Sequence, residues 1–506
     1  RRRERLSTLE IRSHRGTRVR LDRMVSNVAC LRRLMLACAL CLSACGGGTY
    51  RGDPMRPLTD PGALPTDQEA AMRKLDAAPT PEYLKQLQRI VFQPGYTQDV
   101  RAMAFERLQK GDEKTLQDLK NGIAMNLPKM QALSWRTWLS ERIAKEGWKD
   151  LTPTLVRAWS APMPGWVEKD TDRPERKALV VLYGEDHLTD VLVELVANAN
   201  PVTERNLRLR CWELLQKQGQ RQRLVTLLAD TQVKPDDTLL RDLRTCAAEL
   251  GVVPTTREEI LWLQALLTTA NAGFWAEAKA AVAQLPEATR TTLEIRELPT
   301  AVACARHKPE LLTASNQELY ARVEARRKAK GSRMATASLE GYGGDFTETL
   351  YAQRDKLRWG DLAAMALAMD LLDDPVVRKA MFDMGDRDIQ DLTTEYGGVL
   401  TVDRDGKPKL IECKPRITGN DTRFEAPQTM FDQGYTALFH FHMHAQGYDN
   451  ERYAGPHIGD FTYADSTRAN CLVFTFLRKR EMNVDFYRHG PRVVDLGSIL
   501  RPGTEG

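Results

Sequence analysis

Three histidines at alternating positions are the residues of this chain whose types and spacing best suit chemistry. His440, His442 and His444 are three of the eight histidines in a sequence of 506 residues. They lie in an apolar run, 435–444, that predicts a buried β-strand. Because strand side chains alternate between faces, the three imidazoles share one face, and clustered imidazole nitrogens suit zinc. Without metal, the same pattern is typical of a buried histidine strand or a pH-sensitive interface.

Acidic residues flank this strand in both directions along the chain. The sequence TEYGGVL begins at Thr394 and places Glu395 beside a glycine-containing strand, and AGPHIGD ends at Asp460, where a helix is expected to open. Together with the histidines, these segments resemble the JAMM (JAB/MPN) family of zinc hydrolases. The pattern of that family is a Glu beside a strand, then H-x-H at a strand end, then Ser-x-x-Asp at the start of a helix.

The resemblance implies a role for each of these residues. His442, His444 and Asp460 would be the three protein ligands of one zinc ion, with a fourth position left for water, as in catalytic zinc sites. Glu395 would be the general base that moves the proton of that water to the leaving amine. His457 stands where the family has its Ser, and its ring N–H could donate the same hydrogen bond to the oxyanion. The family cleaves peptide and isopeptide bonds, so the expected substrate is a peptide or protein amide.

Two further departures from the family pattern lie between the ligands. Ala445 replaces the Pro that usually follows the second histidine. Fifteen residues separate His444 from Asp460, more than in the family, so residues 446–453 are expected to form an inserted loop.

Two alternatives to this assignment stay open. A site that uses His440 with His442 has the same local spacing as one that uses His442 with His444, so His440 is an alternative ligand. Metal-free members of this fold serve as scaffolds. The alternative function is therefore a non-catalytic, lipid-anchored scaffold whose helical region binds a protein partner.

The elements that would position these residues predict an α+β domain over residues 359–502. Helical patterns at 359–372 and 375–392 precede a run of strand patterns. An Asp-Gly turn at 405–406 predicts that two of those strands form a hairpin. The predicted strands are 397–402, 408–412 and 435–444, with a helix at 461–469. The resemblance to the JAMM family implies later strands at 470–477, 482–488 and 493–497.

Residues 67–325 predict an all-α solenoid of HEAT-like helix pairs, with an ordinary helical bundle as the alternative. Apolar residues recur at helical spacing throughout, and the anchors Leu108, Ile143, Leu182 and Leu215 are spaced by 35, 39 and 33 residues. A solenoid offers a long surface to a protein partner. Five tryptophans at 135–166 could line such a groove, although large aromatic residues are more often core. Residues 326–358 are expected to be a linker to the C-terminal domain.

The N-terminal part of the sequence predicts a lipid anchor. Residues 24–45 read MVSNVACLRRLMLACALCLSAC, which has the basic, apolar and small-residue regions of a signal peptide. The final LSAC resembles a bacterial lipobox, which implies lipidation of Cys45, and Gly46 resembles an outer-membrane sorting residue. The expected location is thus the cell envelope, on the outer membrane facing the periplasm. Residues 46–66 are expected to be a flexible tether, and 1–23 an untranslated or disordered extension.

Charge and cysteine usage exclude two other classes of protein. The formal net charge is +5, but residues 1–23 contain nine Arg against three acidic residues, and the remainder is slightly acidic. No basic stripe on a folded face is indicated, so no nucleic-acid partner is expected. The five cysteines beyond Cys45 are scattered without C-x-x-C pairs, which argues against a disulfide framework or a thiolate zinc site.

Overall fold

The computed structural model describes residues 52–162, 169–330 and 348–503, and the backbone of the short strands Thr336–Ser338 and Asp345–Thr347. The predicted extension, signal peptide and lipidation site at Cys45 lie outside the described residues. Compact packing divides the chain between Asn126 and Leu127. No helix in the described part of the chain is long and apolar enough to cross a membrane.

The first compact unit is all helix in its described part. Its helices are α1 (Met55–Thr59), α2 (Pro65–Leu75), α3 (Pro81–Phe92), α4 (Gln98–Gln109) and α5 (Glu113–Asn126). Threonine N-caps begin two of them, because Thr80 Oγ1 accepts from Tyr83 N at 3.2 Å and Thr97 Oγ1 accepts from Val100 N at 3.4 Å. Leu108, the first of the four predicted repeat anchors, is fully buried on α4.

The predicted tether differs from the structure from Met55 onward. Leu58 is fully buried, and its carbonyl oxygen accepts from Gln86 Nε2 at 2.6 Å and from the Tyr96 hydroxyl at 2.8 Å. These contacts fix the segment to α3 and the loop after it. The Gly, Pro and Asp residues of this segment were the reason to expect flexibility. In the described part they form turns between short helices instead.

The second unit continues as helices to Lys330. These are α6 (Leu133–Lys145), α7 (Thr152–Trp159), α8 (Pro174–Tyr183), α9 (Glu185–Asn198), α10 (Arg205–Lys217), α11 (Arg221–Ala229), α12 (Thr238–Leu250), α13 (Arg257–Leu266), α14 (Ala272–Ala283), α15 (Glu287–Arg290), α16 (Leu298–His307), α17 (Glu310–Thr313) and α18 (Asn316–Lys330). Neighbouring helices pack in pairs, such as α9 with α10, and Ile143 and Leu215 are fully buried. The helical region is confirmed, whereas its HEAT-like subtype stays a prediction.

The tryptophans at 135–166 belong mainly to the core. Trp135 and Trp159 are each 1 % exposed, and Trp148 is buried. Trp138 stacks on Trp135 with ring centroids 4.5 Å apart, and Trp166 lies outside the described residues. An aromatic groove for a partner therefore does not form from the three buried rings.

The predicted linker contains secondary structure at both ends. Helix α18 extends to Lys330, strands β1 (Thr336–Ser338) and β2 (Asp345–Thr347) pair antiparallel, and α19 spans Leu350–Gln353. The following helix, α20 (Trp359–Leu371), is buried on nearly every side and packs against α16 and α18. A helix that is apolar all round belongs to a core. The C-terminal region therefore shares its core with the helices before it.

A mixed six-stranded sheet completes the described C-terminal region, so the predicted order of a helical region and then an α+β region is confirmed. Its order is β4-β3-β5-β6-β7-β8, and only the β5–β6 pair is parallel. The elements are α21 (Pro375–Asp388), β3 (Gly397–Val402), β4 (Pro408–Cys413), α22 (Gln428–Gly434), β5 (Phe439–His444), α23 (Ile458–Thr467), β6 (Cys471–Arg478), β7 (Glu481–Arg488) and β8 (Arg492–Leu500).

The predicted hairpin is confirmed, with Gly406 at φ +77° in the turn between β3 and β4. The strand predicted over 435–444 begins only at Phe439, because helix α22 and a turn precede it. The helix predicted to open at Asp460 begins two residues earlier, at Ile458.

Candidate metal centre

Strand β5 lies inside the sheet and carries the histidines. All six of its residues are buried, and His442 lies opposite Gly397 of β3 and Val473 of β6. The antiparallel register with β3 continues beyond the strand, since Met443 N donates to Tyr396 O at 2.9 Å. That register places Glu395 opposite His444 and on the same face, because both strands alternate with period two.

Gly397 lets the two strands approach closely beside the histidines. A Cβ at this position would clash with the carbonyl oxygen of Phe441 and with the ring of Phe424. The ring of Phe424 in turn stacks on His442, with centroids 5.9 Å apart and an interplanar angle of 12°. A side chain at Gly397 would therefore displace the packing that holds His442.

Three predicted ligands converge at the N-terminal end of helix α23. His442 Nε2 is 3.2 Å from His444 Nε2 and 3.2 Å from Asp460 Oδ1. His444 Nε2 is 3.7 Å from Asp460 Oδ2. Both imidazoles are buried, whereas the Asp460 side chain is 19 % exposed and faces the cavity. His442, His444 and Asp460 are therefore neighbours in space, although Asp460 is distant from the two histidines in the sequence.

These separations fit a tetrahedral zinc ion. Ligand atoms bound at about 2.0–2.2 Å in tetrahedral geometry lie roughly 3.3–3.6 Å from one another. His442 Nε2 lies 3.2 Å from both His444 Nε2 and Asp460 Oδ1, close to that range, and the 3.7 Å contact of His444 Nε2 is with the other oxygen of Asp460, Oδ2. Two imidazoles and one carboxylate are also a donor set found in catalytic zinc sites. His442, His444 and Asp460 would hold the ion.

A backbone contact fixes the ring of His444. Its Nδ1 lies 2.8 Å from the carbonyl oxygen of Tyr453, so Nδ1 carries the hydrogen and donates it, leaving Nε2 as the free acceptor that faces the other ligands. Asn450 Nδ2 also donates to the carbonyl oxygen of His444 at 2.9 Å. The segment predicted as an inserted loop thus positions a ligand.

Glu395 lies beside these ligands and is 4 % exposed. One of its carboxylate oxygens lies within 4.8 Å of the nearest ring nitrogens of His442 and His444. Gln446 Nε2 donates to Glu395 Oε1 at 3.0 Å and to the carbonyl oxygen of Asp421 at 2.7 Å. Burial raises the pKa of Glu395 to about 7, with the charge of His442 opposing this rise and that of Asp460 adding to it.

The charges of the ligands are coupled. Burial disfavours the imidazolium of His442, but Asp460 outweighs it and raises the pKa of His442 to about 9. Burial and the neighbouring charge of His442 lower the pKa of His444 to about 3. Burial opposes ionisation of Asp460, yet the two histidines hold its pKa far below the usual range. The carboxylate of Asp460 is thus ionised at neutral pH, as a metal ligand must be.

His457 is exposed and caps helix α23. Its backbone N–H donates to Asp460 Oδ2 at 2.7 Å, which holds that carboxylate towards the histidines. Its ring stacks on His444 with centroids 4.8 Å apart and lines the same cavity. Two groups of donors among the described residues could hold a metal: Glu395 with His442 and His444, and His444 with His457 and Asp460, so Glu395 and His457 are also candidate ligands.

His440 shares the strand face but belongs to neither metal-capable group among the described residues. Its Nδ1 lies 2.7 Å from the Tyr463 hydroxyl, and its ring lies 6.3 Å from that of Trp262. Burial and the charge of Arg296 lower the pKa of His440 to about 3. The geometry therefore favours His442 and His444 over a pair that includes His440.

The candidate ligands open into a cavity of about 540 Å³. One wall comes from residues 422–424 and Met430, and the other from helix α23. At the end away from Glu395 the lining includes His440, Tyr463 and Tyr487. The lining combines the apolar side chains of Phe424, Met430 and Phe441 with many polar and titratable groups, including Arg423.

Four contributors to the site were missed from the sequence. They are Gln446, Asn450, the carbonyl of Tyr453 and the Tyr463 hydroxyl. The first three lie in the segment predicted only as a loop, where no periodicity assigns a direction to a side chain. The position of Tyr463, three residues after Asp460 on one helix, was the available signal, because such residues share a helix face.

Comparison with protein-family models, with curated proteins and with solved structures finds no match to this chain.

Proposed function

We propose that the C-terminal region is a zinc-dependent hydrolase of the JAMM type that cleaves a peptide or isopeptide amide. The convergence of His442, His444 and Asp460, at separations that fit one zinc ion, carries the proposal. The buried carboxylate of Glu395 beside them supports the catalytic version over a purely structural site. The chain order of Glu, H-x-H and Asp at a helix start supports the family.

Zinc, when bound, would supply a Lewis acid that activates water and polarises the substrate carbonyl. Glu395 would take a proton from water and deliver it to the leaving amine, which one carboxylate can do in both directions. Gln446 holds Glu395 Oε1 through its amide N–H, so it fixes the direction in which the other oxygen points. His457, which stacks on His444 and lines the same cavity, would donate to the oxyanion.

Zinc content of the purified full-length protein tests this function. We expect about one zinc per chain in the unmodified protein, less than about a tenth of that in His442→Ala and Asp460→Ala, and full occupancy in Glu395→Gln. The matched surface control is His187→Ala, because the His187 side chain is 74 % exposed on α9. Hydrolysis of amide libraries by the unmodified protein, lost in Glu395→Gln, then tests catalysis.

A protein that stays metal-free after zinc is added would contradict the proposal. A scaffold whose helical region binds a protein partner would then remain. Full zinc occupancy without amide cleavage by any library member would separate metal binding from catalysis.

We also propose that the chain is anchored to the outer membrane of a bacterial envelope through lipid on Cys45, with the catalytic region in the periplasm. Labelling cells with a radioactive fatty acid tests this. We expect label on the unmodified protein and none on Cys45→Ala, with label unchanged in Cys211→Ala, because Cys211 is a buried free cysteine. Label on Cys45→Ala would contradict the anchor.

A further inference from the structure

Arg296 is a buried cation that the proposed mechanism does not use. It lies in the single turn Ile295–Glu297 before helix α16, in the helical region, and is 3 % exposed. Its guanidinium carbon lies 3.1 Å from the ring centroid of Trp262, on α13. Burial lowers its pKa to about 9, so it remains charged at neutral pH.

Arg296 has no counter-ion among the described residues. Its Nε and Nη1 are buried without a hydrogen-bond partner, and no carboxylate lies within ion-pair distance. The neighbouring Glu294 and Glu297 bind Arg488 instead, at 2.9 Å each. A buried, unpaired charge is costly, so Arg296 requires a negative partner that the described residues do not provide.

The charge lies behind one end of the candidate active-site cavity. The ring of Trp262 that covers Arg296 lies 6.3 Å from the ring of His440, and His440 is hydrogen-bonded to the Tyr463 hydroxyl. His440 and Tyr463 both line the cavity. Burial raises the pKa of Tyr463, and the charge of Arg296 opposes this rise.

Among the described residues, no negative group lines this end of the cavity. The lining carboxylates among the described residues are Glu395 and Asp460, and both lie at the metal end. His440 is two residues from His442 along β5, a distance of about 6.6 Å. The cavity therefore has a metal end and, about 6.6 Å away, an end with an uncompensated positive field.

We propose that this end, formed by His440 and Tyr463 with Arg296 behind them, is an anion subsite that selects amide substrates carrying a carboxylate about one or two residues from the scissile bond. As a statement about substrates it rests on the proposed hydrolase function. The carboxylate completes the charge balance of Arg296 across the cavity wall. The helical region thus contributes to specificity, because Arg296 and Trp262 both come from it.

Two ligands that differ only in one charge test the subsite. N-acetyl-phenylalanine and its C-terminal amide share the acyl group and the ring, which suits a wall containing Phe424 and Met430. Binding to the full-length protein is measured by calorimetry with zinc removed by chelator, so that the carboxylate cannot bind zinc. We expect the acid to bind about tenfold more tightly than the amide, the size of a charge pair several ångströms apart at intermediate dielectric.

Substitutions test whether Arg296 causes the preference for the acid over the amide. We expect Arg296→Met to bind acid and amide equally, Arg296→Lys to retain part of the preference, and Arg404→Met to retain all of it. Arg404 is the matched control because its side chain is 80 % exposed on the β3–β4 turn. If circular dichroism shows that Arg296→Met does not fold, Trp262→Phe is used instead. Binding of the acid should change the tryptophan fluorescence of the unmodified protein, and this change should disappear in Trp262→Phe.

Equal binding of acid and amide by the unmodified protein would overturn the subsite, and so would a preference that survives Arg296→Met or a fluorescence change that survives Trp262→Phe. The proposed hydrolase fails separately, through absent zinc. A charge preference without zinc binding would keep the subsite and remove the metalloenzyme, whereas zinc binding without the preference would do the reverse.

Discussion

At the scale of single residues, the site depends on which ring nitrogen faces inward. The bond from His444 Nδ1 to the carbonyl oxygen of Tyr453 leaves Nε2 as an acceptor beside His442 and Asp460. The bond between His440 Nδ1 and the Tyr463 hydroxyl binds the third histidine to helix α23 instead. Three histidines on one strand face are therefore not equivalent.

This inequivalence predicts that His440→Ala keeps its zinc. His440 lies outside both metal-capable groups, so its removal should leave zinc content at about one per chain, whereas His442→Ala should lose it. Metal analysis of the two purified variants makes the comparison. Loss of zinc from His440→Ala, in protein that remains folded, would favour His440 as a ligand.

His489 predicts a pH dependence of stability. Burial lowers its pKa to about 4, against the opposing effect of Glu294, whose carboxylate lies 2.8 Å from Nε2. Between pH 6.5 and 4 the unfolded chain takes up a proton that the folded chain does not, so the free energy of unfolding falls as pH falls. This contribution, up to about 3 kcal/mol, is fully present above pH 6.5.

His489→Gln removes the titration while retaining an amide that can donate to Glu294. Urea unfolding at pH 7 and at pH 5 should show a smaller loss of stability in the variant than in the unmodified protein. Equal losses in the two proteins would show that His489 does not contribute to the pH dependence.

At the scale of secondary-structure elements, the close approach of β3 to β5 sets the site. Gly397→Ala should push Phe441 and Phe424 away from the strand, because its Cβ would clash with both. We expect a loss of roughly 1–3 kcal/mol in the free energy of unfolding. Zinc affinity should fall roughly tenfold, since supporting contacts typically have that effect.

The matched control is Gly447→Ala, because a Cβ at Gly447 meets no atom within 4 Å. Thermal melting and zinc titration of both variants make the measurement. Equal melting temperatures and zinc affinities for the two alanine variants would contradict the proposed role of the close approach.

At the scale of the whole second unit, a buried ionic cluster joins the helical region to the sheet. Arg488 of β7 is fully buried and binds Glu294 and Glu297 before α16 at 2.9 Å, and Asp361 of α20 at 2.7 Å. The pKa of Arg488 is raised and that of Asp361 is lowered by these contacts, despite burial. The sheet therefore depends on residues more than 120 positions away.

Arg488→Met should destabilise the second unit by about 3–5 kcal/mol, because three buried carboxylates lose a shared partner. Urea unfolding followed by circular dichroism measures it. Lys328→Met, at an exposed side chain of α18, is the control and should change stability by less than about 0.5 kcal/mol. If Arg488→Met changed the free energy of unfolding as little as the control does, the cluster would not stabilise the unit.

The same cluster predicts which fragment folds. A fragment of residues 359–502, the domain predicted from sequence, lacks Glu294, Glu297 and the helices that cover α20, so we expect it to be unfolded. A fragment of residues 127–506 contains all these partners and should give cooperative melting. A cooperative transition in the shorter fragment would contradict this expectation.

The sequence by itself determined the local elements and the chemical character of the site. Period-two and helical patterns identified the helical region, the hairpin at Asp403 to Gly406 and the strand with His442 and His444, because side-chain periodicity is a local property. The JAMM resemblance named Glu395 and Asp460 as their companions, and the structure brings each of the two carboxylates close to both histidines.

Only the tertiary structure decided which residues meet across the chain. The choice between His440 and His444 depends on the position of Tyr463 and Asp460 on α23, and the core shared by α20 and the preceding helices depends on Arg488. Arg296 carries no motif, and its proposed role follows from the absence of a nearby carboxylate among the described residues. Such contacts depend on packing between distant segments, which no local pattern encodes.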